Sequence, residues 1–169
     1  TWTSPAFLFD DRDHWVRFMN TDMVKGWYDR AAKEVGVMLL GDPTAILRGP
    51  YRVMVTTRDV KEFADMKGLK LRMHPNKDAI ATWTTIGADV KTLAWTDVYQ
   101  SIQKGIVDAV NSPIALVESM RFNEVAPHII KHDEYYQSIG FMVHKGSYDN
   151  LSDNLKAVVD KAYADTGTF

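Results

Sequence analysis

The feature that most constrains the fold is a regular alternation of short apolar runs and helical segments that begins at residue 69. Apolar runs of about five residues start at Leu69, Val90 and Ile106, and each precedes a segment whose apolar residues have helical spacing. Strands that alternate with helices in this way are typical of strand–helix units in a parallel sheet. The sequence therefore predicts an α/β fold with three such units.

Residues that begin and end helices mark the borders of these units. Asn76, Thr96 and Ser112 are the predicted N-caps, because their side chains can accept a hydrogen bond from the first helical turn. Gly87 and Gly105 are the predicted helix stops. The rest of the chain predicts a helix over residues 12–35, strands over 37–41, 45–57 and 134–144, and a helix over 152–166 capped by Gly167, with Leu155, Val158, Val159 and Ala162 facing inward.

Composition excludes several classes of protein. The 20 basic and 22 acidic residues are interspersed, so the chain has no basic patch for nucleic acid. It has no cysteine, which excludes disulfides and thiolate metal sites. No stretch reaches the roughly 18–20 apolar residues that span a bilayer, so the chain is not expected to be embedded in a membrane. It begins without methionine or a secretory leader, as expected of a processed or truncated chain.

Polar and aromatic side chains stand where the predicted strands end. In open α/β sheets ligands bind outside the carboxyl ends of the strands, which directs attention to Arg72, Trp95, Asn111 and Ser112. An arginine fork matches a carboxylate, an aromatic ring offers a flat apolar wall, and the amide and hydroxyl add neutral contacts. Structural roles are the alternatives: a surface ion pair for Arg72, core packing for Trp95, a turn for Asn111 and a helix cap for Ser112.

A long central segment resembles a known family. Residues 65–113, DMKGLKLRMHPNKDAIATWTTIGADVKTLAWTDVYQSIQKGIVDAVNSP, are similar to the core of solute-binding proteins of tripartite ATP-independent periplasmic (TRAP) transporters. The shared positions are Lys67-Gly68-Leu69-Lys70-Leu71-Arg72, Gly87-Ala88, Trp95, Asp97-Val98-Tyr99, Gln103, Gly105, Val107-Asp108 and Pro113. The segments SPAFLFDDRDHW, RFNEV and LSDNLKAVVDKAY extend the likeness to almost the whole chain. Complete members of the family are longer at both ends, so the chain resembles a fragment.

The resemblance implies a two-lobed, hinged periplasmic binding protein with mostly parallel sheets flanked by helices. Such a protein closes around a small organic acid, delivers it to the TRAP permease subunits in the membrane, and is exported with a signal peptide. It implies no cofactor and no enzymatic activity. The expected domains are residues 1–49 as part of the N-terminal lobe, 50–133 as the second lobe, and 134–169 as a strand and helix that return to the N-terminal lobe.

The resemblance also implies roles for individual residues. The family arginine that forms a salt bridge with the ligand carboxylate falls on Arg72, a second arginine falls on Arg52, and the aromatic residue falls on Trp95. One motif departs from the family, which commonly has Asp-Gly-x-Glu-Asn-Pro where this chain has Asp-Ala-Val-Asn-Ser-Pro. Ser112 replaces the usual ligand-binding asparagine, so either Asn111 or Ser112 could make the polar contact. Sialic acid specificity is therefore not predicted.

Other chemistries have weaker support in the sequence. His128 and His132 have the helical spacing of a metal pair, but the HExxH pattern is absent, and no phosphate-binding or dinucleotide motif occurs. A metal-dependent branch of the family uses Glu-Trp where this chain has Asn111-Ser112, so no metal is expected. The alternative from another class is an α/β enzyme that acts on a carboxylate substrate anchored by Arg72.

Overall fold

The computed structural model describes residues 5–49 and 51–166. The chain forms two compact units, one built from residues 1–8 and 49–136 and the other from residues 9–48 and 137–169. We call them the five-stranded unit and the two-stranded unit, after their sheets. The chain passes from one unit to the other after Leu8, after Arg48 and after Tyr136.

The described residues contain strands and helices in alternation, which confirms the predicted α/β class. The strands are β1 Val37–Leu39, β2 Arg52–Thr56, β3 Lys70–Met73, β4 Asp89–Thr92, β5 Ala109–Pro113, β6 His128–Lys131 and β7 Met142–His144. The helices are α1 Arg12–Met19, α2 Asp22–Glu34, α3 Lys77–Ile86, α4 Val98–Gln103, α5 Ala115–Ser119, α6 Phe122–Val125, α7 Lys145–Asp149 and α8 Asp153–Thr166. None of these helices combines the length and the apolar character needed to cross a membrane.

The larger sheet has the strand order β4-β3-β5-β2-β6. Strand β3 runs parallel to β4 and β5, as the three strand–helix units predicted. Strand β2 runs antiparallel to both β5 and β6, so the sheet is mixed rather than uniformly parallel. The sequence did not predict β6, because this short edge strand has only two apolar residues, Ile129 and Ile130, between polar ends.

Apolar side chains cover both faces of the large sheet. Because side chains alternate along a strand, Met54 faces one side while its neighbours Val53 and Val55 face the other. The first face is packed by Leu69, Leu71, Met73, Ala79, Trp83 and Ala109, and the second by Val98, Ile102, Val107, Val110, Val117 and Phe122. Helix α3 thus covers one face through Trp83, and Phe122 of α6 packs on the other.

The cap predictions had mixed outcomes. Asn76 caps α3, with its side chain accepting a hydrogen bond from Ala79 N at 3.0 Å, and Gly87 ends the helix at φ 111°. Thr96 was wrong as a cap, because a short 3₁₀ turn over Trp95–Asp97 precedes α4. Ser112 was also wrong as a cap, because it lies within β5 and its hydroxyl donates to the carbonyl oxygen of Pro113.

The helix that the sequence predicts after Ser112 is instead two short helices, α5 and α6. Arg121 separates them and adopts the left-handed region at φ 58°. A non-glycine residue at this φ cannot continue a right-handed helix, so the helical path breaks there. The apolar residues of this segment keep helical spacing across the break, so the sequence predicts one helix where the structure has two.

The two-stranded unit pairs β1 with β7 in antiparallel register and also contains α1, α2, α7 and α8. The single helix predicted over residues 12–35 is two helices, because Thr21 begins α2 by accepting a hydrogen bond from Val24 N. Of the strand predicted over residues 134–144, only the last three residues, Met142–His144, form a strand, which is β7. The inward stripe of α8 was largely wrong, since Leu155 is 52% and Val158 64% exposed while Tyr163 is buried. Gly167, its predicted cap, lies outside the described residues.

Candidate functional site

The predicted ligand-binding residues lie at one edge of the five-stranded sheet. Strands β3 and β5 are parallel and end at this edge. Antiparallel β2 begins there, with Arg52 in register with Pro113 at the end of β5. Strand β6 also ends there, since Lys131 pairs with Val53. The edge therefore combines Arg72, Arg52, the residues that follow β4, and the residues that follow β6.

Arg72 is a buried cation whose orientation is fixed by the protein backbone. Its side chain is near the end of β3, and the residue is only 7% exposed. Nε and Nη2 both donate to the carbonyl oxygen of Leu93, at 3.0 and 2.7 Å. The guanidinium carbon lies 5.2 Å from the centre of the Trp95 ring, a cation–π contact. Burial lowers the pKa of Arg72 from its usual value, and nearby Tyr135 opposes that shift.

No acidic side chain compensates Arg72 within the part of the chain that the structure describes. Its two hydrogen bonds go to a neutral carbonyl oxygen, and its ring contact is with a neutral indole. A guanidinium has five N–H donors, so more than half of them have no described acceptor. Arg72 is therefore a desolvated positive charge that is oriented but not neutralised.

Arg52, in contrast, is neutralised within the protein. Its Nε and Nη2 atoms lie 2.9 and 2.8 Å from Oε1 of Glu134, and both side chains are nearly inaccessible to solvent. The guanidinium also lies over the ring of Tyr135, with 4.3 Å between its carbon and the ring centre. Two hydrogen bonds from one guanidinium to one carboxylate oxygen, in a buried setting, make a strong and oriented ion pair.

The second oxygen of Glu134 anchors the rest of a buried polar network. Oε2 accepts hydrogen bonds from Nε1 of Trp83 at 3.0 Å and from Nδ2 of Asn111 at 2.8 Å. The Asn111 carbonyl oxygen in turn lies 3.2 Å from Nε2 of His132. Both carboxylate oxygens of Glu134 are thereby satisfied, so its negative charge is held in place by partners on three different elements.

His132 is locked in one neutral tautomer. Its Nδ1 accepts a hydrogen bond from the backbone N–H of Glu134 at 3.1 Å, so the ring proton must be on Nε2, which donates to Asn111. Burial is the main reason that the pKa of His132 is lowered, and the carboxylate of Glu134 opposes this shift in part. The pKa of His74 is also lowered, by burial and then by the charge of Arg72.

The structure divides the predicted residues between the two faces of the sheet. Arg72 and Trp95 share the face packed by Val110 and Phe122, and the Trp95 ring lies 5.3 Å from the Phe122 ring. The side chains of Arg52 and Asn111 meet at Glu134, on the Trp83 side of the sheet. Ser112 is fully buried, with its hydroxyl bonded to Pro113.

Sequence reasoning missed four residues of this edge. They are Trp83, His132, Glu134 and Tyr135. Three of them directly follow β6, so failing to predict that strand hid their position at the sheet edge. The doublet Tyr135-Tyr136 beside an acidic residue was the available signal, because tyrosines in such a position combine an apolar ring with a polar tip.

The metal-pair interpretation of the histidines does not fit the geometry. His128 begins strand β6, where residues four apart are roughly 13 Å apart along the strand rather than adjacent on a helix. Over residues 5–49 and 51–166, no group of three or more potential ligands is placed to hold a metal ion.

Residues 2–169 match the family described as bacterial extracellular solute-binding protein, family 7. The chain belongs to this family. The TRAP resemblance deduced from the central segment is thereby confirmed, and family 7 proteins are binding proteins rather than enzymes. The expectation of a periplasmic protein is confirmed as well.

Two curated relatives match this family 7 chain at low sequence identity. A solute-binding protein of Sulfitobacter sp. is 24% identical over 163 residues, which are 96% of this chain and 48% of the relative. The C4-dicarboxylate-binding periplasmic protein DctP of Rhodobacter capsulatus is 27% identical over 119 residues, which are 70% of this chain and 36% of that protein. The chain thus spans about half the length, or less, of these curated relatives.

A solved structure confirms the fold class. The apo open structure of a TRAP periplasmic solute-binding protein from Escherichia fergusonii superposes with a TM-score of 0.85 at 22% identity. The match covers 98% of this chain and 55% of that chain. The α/β fold of a two-lobed periplasmic binding protein, present here in part, is the architecture that the sequence predicted.

Proposed function

We propose that this chain is part of a protein that captures a small organic carboxylate for TRAP-type uptake, with Arg72 as the residue that binds the carboxylate. The single observation that carries the proposal is the buried guanidinium of Arg72, which no described acidic side chain neutralises. Transferring an isolated charge out of water is costly unless a partner compensates it. An anionic ligand would supply that partner.

The geometry of Arg72 supports a carboxylate over other anions. Leu93 holds one side of the planar guanidinium through two hydrogen bonds, which leaves the donors of the other side pre-oriented. Two parallel N–H groups match the two oxygens of a carboxylate, and such bidentate pairs are stronger than single hydrogen bonds. Because the backbone already fixes the fork, little conformational entropy is lost when the ligand binds.

Other residues at the same edge have proposed supporting roles. Trp95 would form a wall beside the bound carboxylate, since its ring already lies against the Arg72 guanidinium. Arg52 is proposed as the second cationic residue of the site, acting through hydrogen bonds while it remains paired with Glu134. Asn111 would orient Glu134 by donating a hydrogen bond to its carboxylate. Ser112 would fix the backbone at the end of β5 by donating a hydrogen bond to the Pro113 carbonyl oxygen.

The place of the chain in the whole protein is also a proposal. We propose that the five-stranded unit is the second lobe and that the two-stranded unit belongs to the N-terminal lobe of a longer protein. The membrane partner would be a TRAP permease. The Rhodobacter capsulatus relative is named for binding C4-dicarboxylates, which makes small organic acids the first ligands to test.

The test is a calorimetric titration of the intact protein with a panel of small organic acids, each compared with its neutral amide. The proposal expects at least one acid to bind saturably while its amide does not. It expects Arg72→Gln to weaken that binding by roughly 30-fold or more, since an unpaired buried charge is worth about 2–5 kcal/mol. Arg58→Gln is the matched control, because Arg58 is exposed beyond the opposite end of β2. Unchanged affinity in Arg72→Gln would refute the proposal.

A further inference from the structure

The two buried arginines of the binding edge, Arg52 and Arg72, differ in whether an acidic side chain compensates their charge. Arg52 is compensated by Glu134, through contacts of 2.8 and 2.9 Å to the same oxygen. Lys131 is compensated by Asp133 at 3.3 Å. Arg72 is a buried positive charge at this edge, and none of its described contacts is with an acidic group.

The histidines of this edge add no further charge at neutral pH. The neutral tautomer of His132 is fixed from both sides, by the Glu134 backbone N–H at Nδ1 and by the Asn111 carbonyl oxygen at Nε2. A second proton on Nδ1 would face an N–H donor and would break that bond. Burial and then the charge of Arg72 lower the pKa of His74, so both disfavour a proton on this ring.

We infer that the site selects monocarboxylates with an otherwise uncharged body over dicarboxylates. The inference rests on the proposed function, and it refines the substrate class of that same site. One uncompensated guanidinium matches one carboxylate. The carboxylate of Glu134 already forms an ion pair with Arg52, in the place that a second ligand carboxylate would need. Glu134 is therefore a specificity-determining residue, although sequence reasoning assigned it no role.

A second ligand carboxylate could reach Arg52 only by displacing Glu134, and the network opposes that displacement. Glu134 also accepts hydrogen bonds from Trp83 and Asn111, so its departure would leave two buried donors unsatisfied. If Glu134 stayed, the second carboxylate would enter a desolvated region without a compensating cation. Either outcome disfavours a dicarboxylate relative to a monocarboxylate of the same size.

Tyr135 supports the same ligand class. Its ring packs against the guanidinium of Arg52, and it opposes the lowering of the pKa of Arg72. Together with Trp95 it places neutral aromatic surface next to the anchoring charge. Aromatic surface of this kind accommodates rings and the hydroxylated carbon chains of sugars, but it offers no compensation for a second negative charge.

The experiment compares matched acids that differ in the number of carboxylates. The intact protein is titrated by calorimetry with succinamate against succinate, galactonate against galactarate, and benzoate against terephthalate. In the wild type, the monocarboxylate of any pair that binds should be favoured by a factor on the order of ten or more. Equal affinity, or a preference for the dicarboxylate, would overturn the inference while leaving the proposed carboxylate-binding function intact.

Variants of Glu134 test the cause of the preference. Glu134→Gln removes the internal carboxylate and should shift the affinity ratio towards the dicarboxylate, because the charge of Arg52 becomes available. The double change Arg52→Gln with Glu134→Gln keeps the net charge of the site and should keep the wild-type ratio. A ratio unmoved by Glu134→Gln in a folded protein would overturn the inference. If Glu134→Gln does not fold, the wild-type ratio decides by itself. Failure of every acid to bind would instead overturn the proposed function and the inference with it.

Discussion

The carbonyl oxygen of Leu93 accepts two hydrogen bonds from the Arg72 side chain, at 3.0 Å from Nε and 2.7 Å from Nη2. This arrangement ties the buried guanidinium of β3 to the chain that leaves the neighbouring strand β4. Lysine has one ammonium group and cannot hold this carbonyl oxygen and a carboxylate in the same planar geometry. The identity of residue 72 as arginine therefore matters as much as its charge.

Arg72→Lys should weaken carboxylate binding even though the positive charge remains. We expect the affinity for the best organic acid to fall roughly tenfold or more, because the ammonium loses the bidentate contact. Calorimetry on the intact protein measures the change. Arg58→Lys, an exposed exchange of the same type, serves as the control and should leave the affinity unaltered. Equal affinity of Arg72→Lys and wild type would contradict a bidentate contact.

Asn111→Asp should destabilise the protein by placing a second carboxylate against Glu134. The Asn111 amide nitrogen lies 2.8 Å from Oε2 of Glu134, so the change replaces a donor with a like charge in a buried setting. We expect the free energy of unfolding to fall by about 2–4 kcal/mol, measured by urea denaturation. Asn123→Asp on the exposed surface of α6 is the control, and an equal effect of both changes would contradict the buried network.

Much of the five-stranded unit could be predicted from its sequence because local chemistry and global fold agree there. Asn76 and Gly87 delimit α3 as expected, and the first two apolar runs became β3 and β4. The third run, which starts at Ile106, overlaps β5 only at Ala109 and Val110. Burial also brings Arg72 and Trp95 together, as their positions at neighbouring strand ends predicted. These features depend on residues that are close in sequence or repeat with the period of the element.

What could not be predicted depends on partners that are far apart in the chain. The ion pair of Arg52 with Glu134 joins residues separated by 82 positions, and no local pattern indicates it. The exposure of Leu155 and Val158 likewise reflects which side of α8 is packed, and periodicity alone does not determine that side. Strand β6 has too few apolar residues to be distinguished from a loop.

Gly41→Ala should destabilise the two-stranded unit, whereas Gly26→Ala should not. Gly41 adopts φ +57°, and an added Cβ would overlap the buried ring of Tyr163. We expect a loss of about 2 kcal/mol or more in the free energy of unfolding. Gly26 lies inside α2 with open space around its Cα, so Gly26→Ala should raise the free energy of unfolding by about 0.5–1 kcal/mol. Urea denaturation of both variants checks this pair, and a stable Gly41→Ala protein would contradict the packing of Tyr163.

His132 should make the protein less stable in mild acid. Burial lowers the pKa of His132 in the folded state below 6.5, so the unfolded chain binds the proton first as the pH falls. The free energy of unfolding should therefore decrease from about pH 6.5 downwards, until the pH passes the lowered pKa of the folded state. His74 acts in the same direction. His132→Gln should flatten the pH dependence in this window, and an unchanged slope would contradict the locked neutral tautomer.

The central claim is that Arg72 binds the ligand carboxylate, and a crystal structure of the intact protein with its best-binding organic acid tests it most directly. The account predicts both carboxylate oxygens within hydrogen-bonding distance of the Arg72 guanidinium, about 2.7–3.2 Å, with Leu93 still accepting its two bonds and Glu134 still paired with Arg52. A bound acid whose carboxylate contacts other residues, while Arg72 keeps only its bonds to Leu93, would contradict the account.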